Sequence, residues 1–199
     1  MKTKIPLKMA RNIAEHLVAY LQHDCKRIEV AGSIRRCKPD VGDIEILAVP
    51  TIKLYELLDD LLSDGKIHHV TPKRWGNKLR AFRLPIEHLS DSVQVDLFLQ
   101  PNPATWGINL MIRTGSAEFS RKMVTQRSAG GFMPDHFRIY DARVWAGAKL
   151  LDTPEEEEVF RLWGMDYVLP PQRTDWYAPK FGDAPVVEVE PEPVQGGLF

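Results

Sequence analysis

Apolar residues recur every four positions at Met9, Ile13, Leu17 and Leu21, which predicts an amphipathic helix over residues 6–23 with Pro6 in its first turn. A short strand over residues 27–31 follows, then Gly32-Ser33, then a second strand over residues 43–49. Leu54, Leu57, Leu58, Leu61 and Leu62 mark a helix that stops at Asp64-Gly65. Strands are predicted near residues 67–71 and 79–84. Another runs over residues 93–99, with Val93, Val95, Leu97 and Leu99 alternating on one face. Residues 104–123 read as helix broken at Thr114-Gly115-Ser116. Gly130-Gly131 opens a smaller unit with strands over residues 137–140 and 143–145. A last helix begins at Thr153-Pro154-Glu155-Glu156, where Thr153 is placed to cap and Glu156 to complete a capping box. On that reading Glu155 to Glu158 serve helix-start electrostatics rather than a metal.

The chain has 199 residues, 44% of them hydrophobic and 27% charged, enough for one sizeable domain or two small units. The pattern is α+β. No apolar run approaches a membrane span, and residues 1–11 lack a signal-peptide core, so a cytoplasmic protein is expected, bacterial or phage-encoded. Cys25 and Cys37 lack metal-site spacing and read as a reduced pair. Net charge is -1, but Asp183, Glu188, Glu190 and Glu192 sit in a Pro- and Glu-rich segment, residues 183–199, that reads as a disordered acidic tail. The body before it carries about +3, mildly favourable for a polyanion.

The chemistry concentrates in residues 30–47. Asp43 and Glu45 are two apart in a strand, so both carboxylates project from one face. Adjacent like charges repel unless a cation neutralises them. An all-oxygen set with open positions suits Mg²⁺. Asp96, inside the apolar strand over residues 93–99, supplies a third carboxylate if that strand lies beside the first. Three such acids suffice for two ions bridging a phosphoryl group. Gly32-Ser33, followed by Arg35 and Arg36, offers a backbone and side-chain cradle for phosphate. An anion cradle beside a cation-binding acid pair is what nucleotidyl transfer requires.

Gly32-Ser33 with Gly42-Asp43-Ile44-Glu45 resembles the signature of the polymerase-beta-like nucleotidyltransferase superfamily. Thr114-Gly115-Ser116 with Phe119 and Met123, then residues 131–173, narrow the likeness to family X DNA polymerases. The resemblance implies a palm over residues 1–115, a mixed sheet with helices on one face, and a small α/β thumb over residues 116–182. It implies Asp43, Glu45 and Asp96 as ligands of two Mg²⁺ ions, with Mn²⁺ as the other metal, and Asp96 as acceptor of the primer hydroxyl proton. Gly32, Ser33, Arg36 and Gly42 would hold the phosphates of a dNTP, and Thr114 and Gly115 its sugar. Lys73, Arg74, Lys78, Arg80, Arg121, Lys122 and Arg127 would meet the phosphates of primer-template or gapped DNA.

The implied activity is DNA-directed DNA polymerisation, in gap filling or repair. Two alternatives stand beside it: a template-independent or non-DNA nucleotidyltransferase, and a catalytically weak DNA-binding accessory. The chain departs from the family pattern at Glu45, where aspartate is usual, and at Ile112 and Arg113, where aromatics are. It also departs at Ser120, near which an asparagine is usual, and at Gln94, where a basic residue is. Nothing in it resembles the family's lyase and fingers regions, so lyase activity is not expected. The final residues, with Gln195, Leu198 and Phe199, are similar to the peptide by which bacterial polymerases bind the sliding clamp.

Overall fold

The computed structural model describes residues 4–86 and 92–182. Strand β1 (Ile5–Pro6) leads into helix α1 (Leu7–Leu21), and β2 (Cys25–Val30) into a single helical turn, α2 (Gly32–Arg35). Next come β3 (Asp40–Val41), β4 (Ile44–Pro50), α3 (Ile52–Ser63), β5 (His68–His69), β6 (Leu79–Leu84) and β7 (Val93–Leu99). The sheet order is β2-β4-β7-β6-β5, with β4 and β7 parallel and the other pairs antiparallel.

Strand alternation divides this mixed sheet into two unlike faces. Ile44, Ile46, Ala48, Val95 and Leu97 share a core with Ala10, Ala14 and Leu21 of α1 and Leu54 and Leu58 of α3. The same alternation turns Glu45, Leu47 and Val49 of β4 and Asp96 and Phe98 of β7 to the opposite face. The every-four ridge of α1 does not stay inward. Residues four apart advance about 40° round a helix, so Met9 is 41% exposed while Ala10 and Ala14 are fully buried.

Helix α4 (Trp106–Thr114) sits on the second face at one end. Trp106 and Leu110 pack there on Ala31, Leu47 and Val49. Helices on one face therefore describe α1 and α3 only. Helices thus lie on both faces of the sheet, not on one as the resemblance implies, because Leu47 and Val49 also need cover. The same helix turns Ile108 and Met111 into a separate core. There they meet α5 (Ala117–Met123), the three-stranded sheet β8 (Phe137–Tyr140), β9 (Arg143–Ala146) and β10 (Lys149–Leu151), and α6 (Glu156–Leu162). Phe137 stacks on Trp163 at 5.4 Å, and the Trp163 indole donates to the Met123 carbonyl at 2.7 Å.

The break between α4 and α5 falls at Gly115, with Ser116 as N-cap of α5 accepting from the Phe119 amide. The capping box at Thr153 does not form. The N-cap of α6 is Glu155, and the Thr153 hydroxyl is buried without a partner among the described residues. The reason is tertiary: the Thr153 amide donates to the Ala104 carbonyl and its carbonyl accepts from the Gly107 amide, both at 2.6 Å, which pins it to the start of α4. The acidic segment 183–199, with Gln195, Leu198 and Phe199, lies outside the described residues. No described helix is long and apolar enough to cross a membrane.

Candidate active site

The parallel pairing of β4 and β7 sets Ile44 opposite Val95 and Glu45 opposite Asp96. Neighbouring strands lie about 4.8 Å apart, so Glu45 and Asp96 stand side by side on one face. Asp43 immediately precedes β4. Burial pushes the Glu45 carboxyl up to about 7 from its ordinary 4.5. Asp43 and Asp96 add to the rise, against Arg36 and Arg113. The metal-free fold thus disfavours the ionised form of Glu45, since Arg36 and Arg113 offset only part of the cost.

Two glycines with positive φ admit the neighbouring side chains. Gly32 (φ 62°) lies so close to Glu45 that a Cβ there would overlap its carboxylate. Gly115 (φ 70°) leaves room for Arg36, whose guanidinium nitrogen would stand 2.8 Å from an added Cβ. Arg36 donates to the Thr114 carbonyl, and its Nε is buried with no partner among the described residues. The Ser33 hydroxyl is likewise buried and unpartnered. Leaving such groups unsatisfied costs about 1–3 kcal/mol each. Both flank the turn that leads to the acid pair. A Cβ at Gly42 would meet nothing within 4 Å, so the backbone there is open to a ligand.

Arg35, the other candidate for the same anion, is used elsewhere. It donates to the Thr114 hydroxyl at 2.8 Å and to Glu156 at 2.9 Å. Glu156 also accepts from Tyr167 at 2.7 Å and from the fully buried Arg173 at 2.5 Å. Glu156 is therefore a buried counter-ion rather than only helix-start electrostatics. Together Arg35 and Arg36 hold the hydroxyl and the carbonyl of Thr114.

Asp96 is 6% exposed, and both its oxygens are engaged: Arg74 donates to Oδ2 at 2.7 Å and Gln94 to Oδ1 at 2.8 Å. Among the described residues no three His, Cys, Asp or Glu side chains converge to hold one ion as they stand. The all-oxygen donors and the raised Glu45 carboxyl fit a hard divalent cation at Asp43 and Glu45. Asp96 fits once Arg74 withdraws.

The candidate DNA contacts fare unequally. Arg80 lies on the α3 side, 7% exposed, paired with Asp59 and over the Trp75 ring at 4.5 Å, so it is removed from the candidate surface. Arg127 donates to the Trp163 and Phe132 carbonyls and is also structural. Lys78 pairs with Asp141, Arg121 with Glu118, and Arg74 with Asp96. Lys122 lies 5.7 Å from the Phe132 ring and Lys73 is exposed.

The sequence reading missed the roles of Arg74, Arg113, Arg173 and Asp175. Arg113 lies 3.9 Å over the Phe98 ring, where it feels Glu45 and Asp96, and borders a 250 Å³ cavity with Asn109, Lys78 and Arg143. Asp175 bonds the Ser116 hydroxyl and bears on Arg36. Arg74 stood in the sequence only as a candidate phosphate contact and Arg113 only as a departure from the family pattern, and no local signal marked the roles of Arg173 or Asp175. A larger apolar groove beside Ile13, Leu17, Leu84 and Ile86 belongs to the opposite face of the sheet. Compared with known proteins, the chain matches no family model and no curated sequence.

Proposed function

We propose that the chain is a divalent-metal-dependent nucleotidyltransferase of DNA-polymerase type, adding a deoxynucleotide to a primer 3′-hydroxyl. The observation that carries this is the register of Glu45 beside Asp96, with Asp43 two residues before Glu45 and the unpartnered Ser33 hydroxyl and Arg36 Nε close by. Acid pairs at strand ends are common. Neighbouring carboxylates bordered by polar groups that lack partners among the described residues suit a ligand carrying both a cation and phosphates.

On this reading Asp43, Glu45 and Asp96 hold Mg²⁺ or Mn²⁺. When bound, the metal polarises the α-phosphate and lowers the pKa of the attacking hydroxyl. Ser33 and Arg36 receive the β and γ phosphates, and Gly42 leaves its backbone open to them. Thr114 and Gly115, fixed by Arg35 and Arg36, form the ledge for the sugar. The primer 3′-oxygen bonds to the α-phosphorus while the bond to pyrophosphate breaks. The hydroxyl proton passes to Asp96. Lys73, Lys122 and, when freed, Arg74 remain as phosphate contacts for primer-template or gapped DNA. The chain would act in the cytoplasm, and the terminal residues Gln195, Leu198 and Phe199 would bind a sliding clamp.

One observation favours a second reading, a DNA-binding accessory without catalysis: both Asp96 oxygens are already taken. The arginine at 113 also keeps a template-independent transferase open. Primer extension on gapped and on single-stranded DNA, with Mg²⁺ and Mn²⁺ separately, separates all three. Templated extension abolished by Asp43→Asn supports the polymerase. Untemplated addition supports the transferase, and no incorporation with either metal rejects both.

A further inference from the structure

Asp96 and Arg74 have each been assigned two partners that exclude one another. Asp96 is a metal ligand on the proposed function, yet its Oδ2 is held by Arg74 at 2.7 Å and its Oδ1 by Gln94 at 2.8 Å. Arg74 is a phosphate contact on the same proposal, yet it is spent on Asp96. We infer that this ion pair couples the two substrates: a divalent cation at Asp96 releases Arg74 to a nucleic-acid phosphate, and a phosphate on Arg74 releases Asp96 to the cation. The inference rests on the nucleotidyltransferase reading and adds to it a cooperative link between metal and polyanion.

The two ends of the pair are built differently. The Asp96 side chain is 9% exposed and fixed mid-strand in β7, opposite Glu45, so it cannot leave. The Arg74 side chain is 35% exposed and ends a 3-10 turn, Pro72–Arg74, so it has a route to solvent. Its backbone is anchored independently. The Arg74 amide donates to the Thr71 carbonyl at 3.0 Å, and the Trp75 indole next to it donates to Asp59 at 2.9 Å. Release is therefore a side-chain rotation about a fixed backbone. Gln94 can hold Asp96 Oδ1 throughout, because a neutral amide does not compete with a cation for charge. An Asp96 stripped of Arg74 stands beside Glu45 with no cation on its Oδ2. Like charges at that spacing repel, and a divalent ion between them is the available remedy.

Coupling of this kind is reciprocal by linkage: whatever the polyanion adds to metal affinity, the metal adds to polyanion affinity. Couplings between sites typically amount to roughly 5- to 150-fold, and a pair with one end partly exposed belongs at the low end of that range. The test uses the full chain, with Mn²⁺ as probe and the free-ion EPR signal as readout, with and without single-stranded oligothymidylate and with no nucleotide present. Wild-type protein should bind Mn²⁺ at least about fivefold more tightly when oligothymidylate is added. Arg74→Gln should bind Mn²⁺ tightly without the oligonucleotide and gain nothing from it. Arg74→Lys keeps the charge and should retain part of the coupling, which guards against misfolding of the Gln variant. The inference is overturned if Arg74→Gln binds Mn²⁺ as wild type does or more weakly, or if coupling survives in it. If Asp43→Asn abolishes Mn²⁺ binding while Arg74→Gln changes nothing, the metal site stands and the coupling falls. If wild type binds no Mn²⁺ under any condition, both fall.

Discussion

Replacing Glu45 with glutamine should make the metal-free protein more stable, and only at neutral to alkaline pH. Burial, then Asp43 and Asp96, lift the Glu45 carboxyl from 4.5 to about 7, against Arg36 and Arg113. A carboxyl raised on folding keeps its proton in the native state over a range where the unfolded chain has lost it, so stability falls as pH rises through that window. The shift corresponds to about 3 kcal/mol, fully felt above pH 7 and mostly absent near pH 5. Glutamine has the same shape and carries no charge. In urea unfolding with a chelator, Glu45→Gln should exceed wild type by about 3 kcal/mol at pH 8.5 and by less than about 1 kcal/mol at pH 5. Adding Mg²⁺ at pH 8.5 should restore wild type and leave the variant unchanged. An equal gain at both pH values, or a loss at pH 8.5, would refute the claim that folding makes ionisation of Glu45 costly.

Glu156→Gln should lose about 3–5 kcal/mol in the same assay, because it strands the fully buried Arg173. Burial alone would raise the Glu156 carboxyl, but Arg173 and Arg35 outweigh it and hold it below its ordinary value. Its contribution is therefore present above the unfolded carboxyl's range and lost as pH falls below it, opposite in sign to Glu45. Gly32→Ala should cost at least about 1 kcal/mol for its positive φ and weaken Mn²⁺ binding by displacing Glu45, read by EPR. Arg80→Ala should lower the urea midpoint while leaving the salt dependence of oligonucleotide binding unchanged, since Arg80 faces Asp59. Lys73→Ala should do the reverse.

Elements whose cause is local were legible in the chain. Period-two alternation fixed β7 at Val93–Leu99 and put Asp96 on the face away from Val95 and Leu97. Strand alternation does not reach Asp43, which lies just before β4, although it acts on Glu45 electrostatically; Thr114-Gly115-Ser116 marked the break between α4 and α5. What the sequence could not show were partners far along the chain. Arg74 meets Asp96 across 22 residues, Arg35 meets Glu156 across 121, and no local pattern encodes either contact. The capping box at Thr153 failed for the same reason: backbone bonds to Ala104 and Gly107 outbid the local cap. Strand β10 carries too few residues for a period to register. Which lysines and arginines stay available for phosphate was likewise a tertiary decision, because charge on the chain becomes charge on the surface only after each carboxylate has chosen its neighbour. Periodicity is a property of consecutive residues, whereas compensation of buried charge is a property of the packed whole.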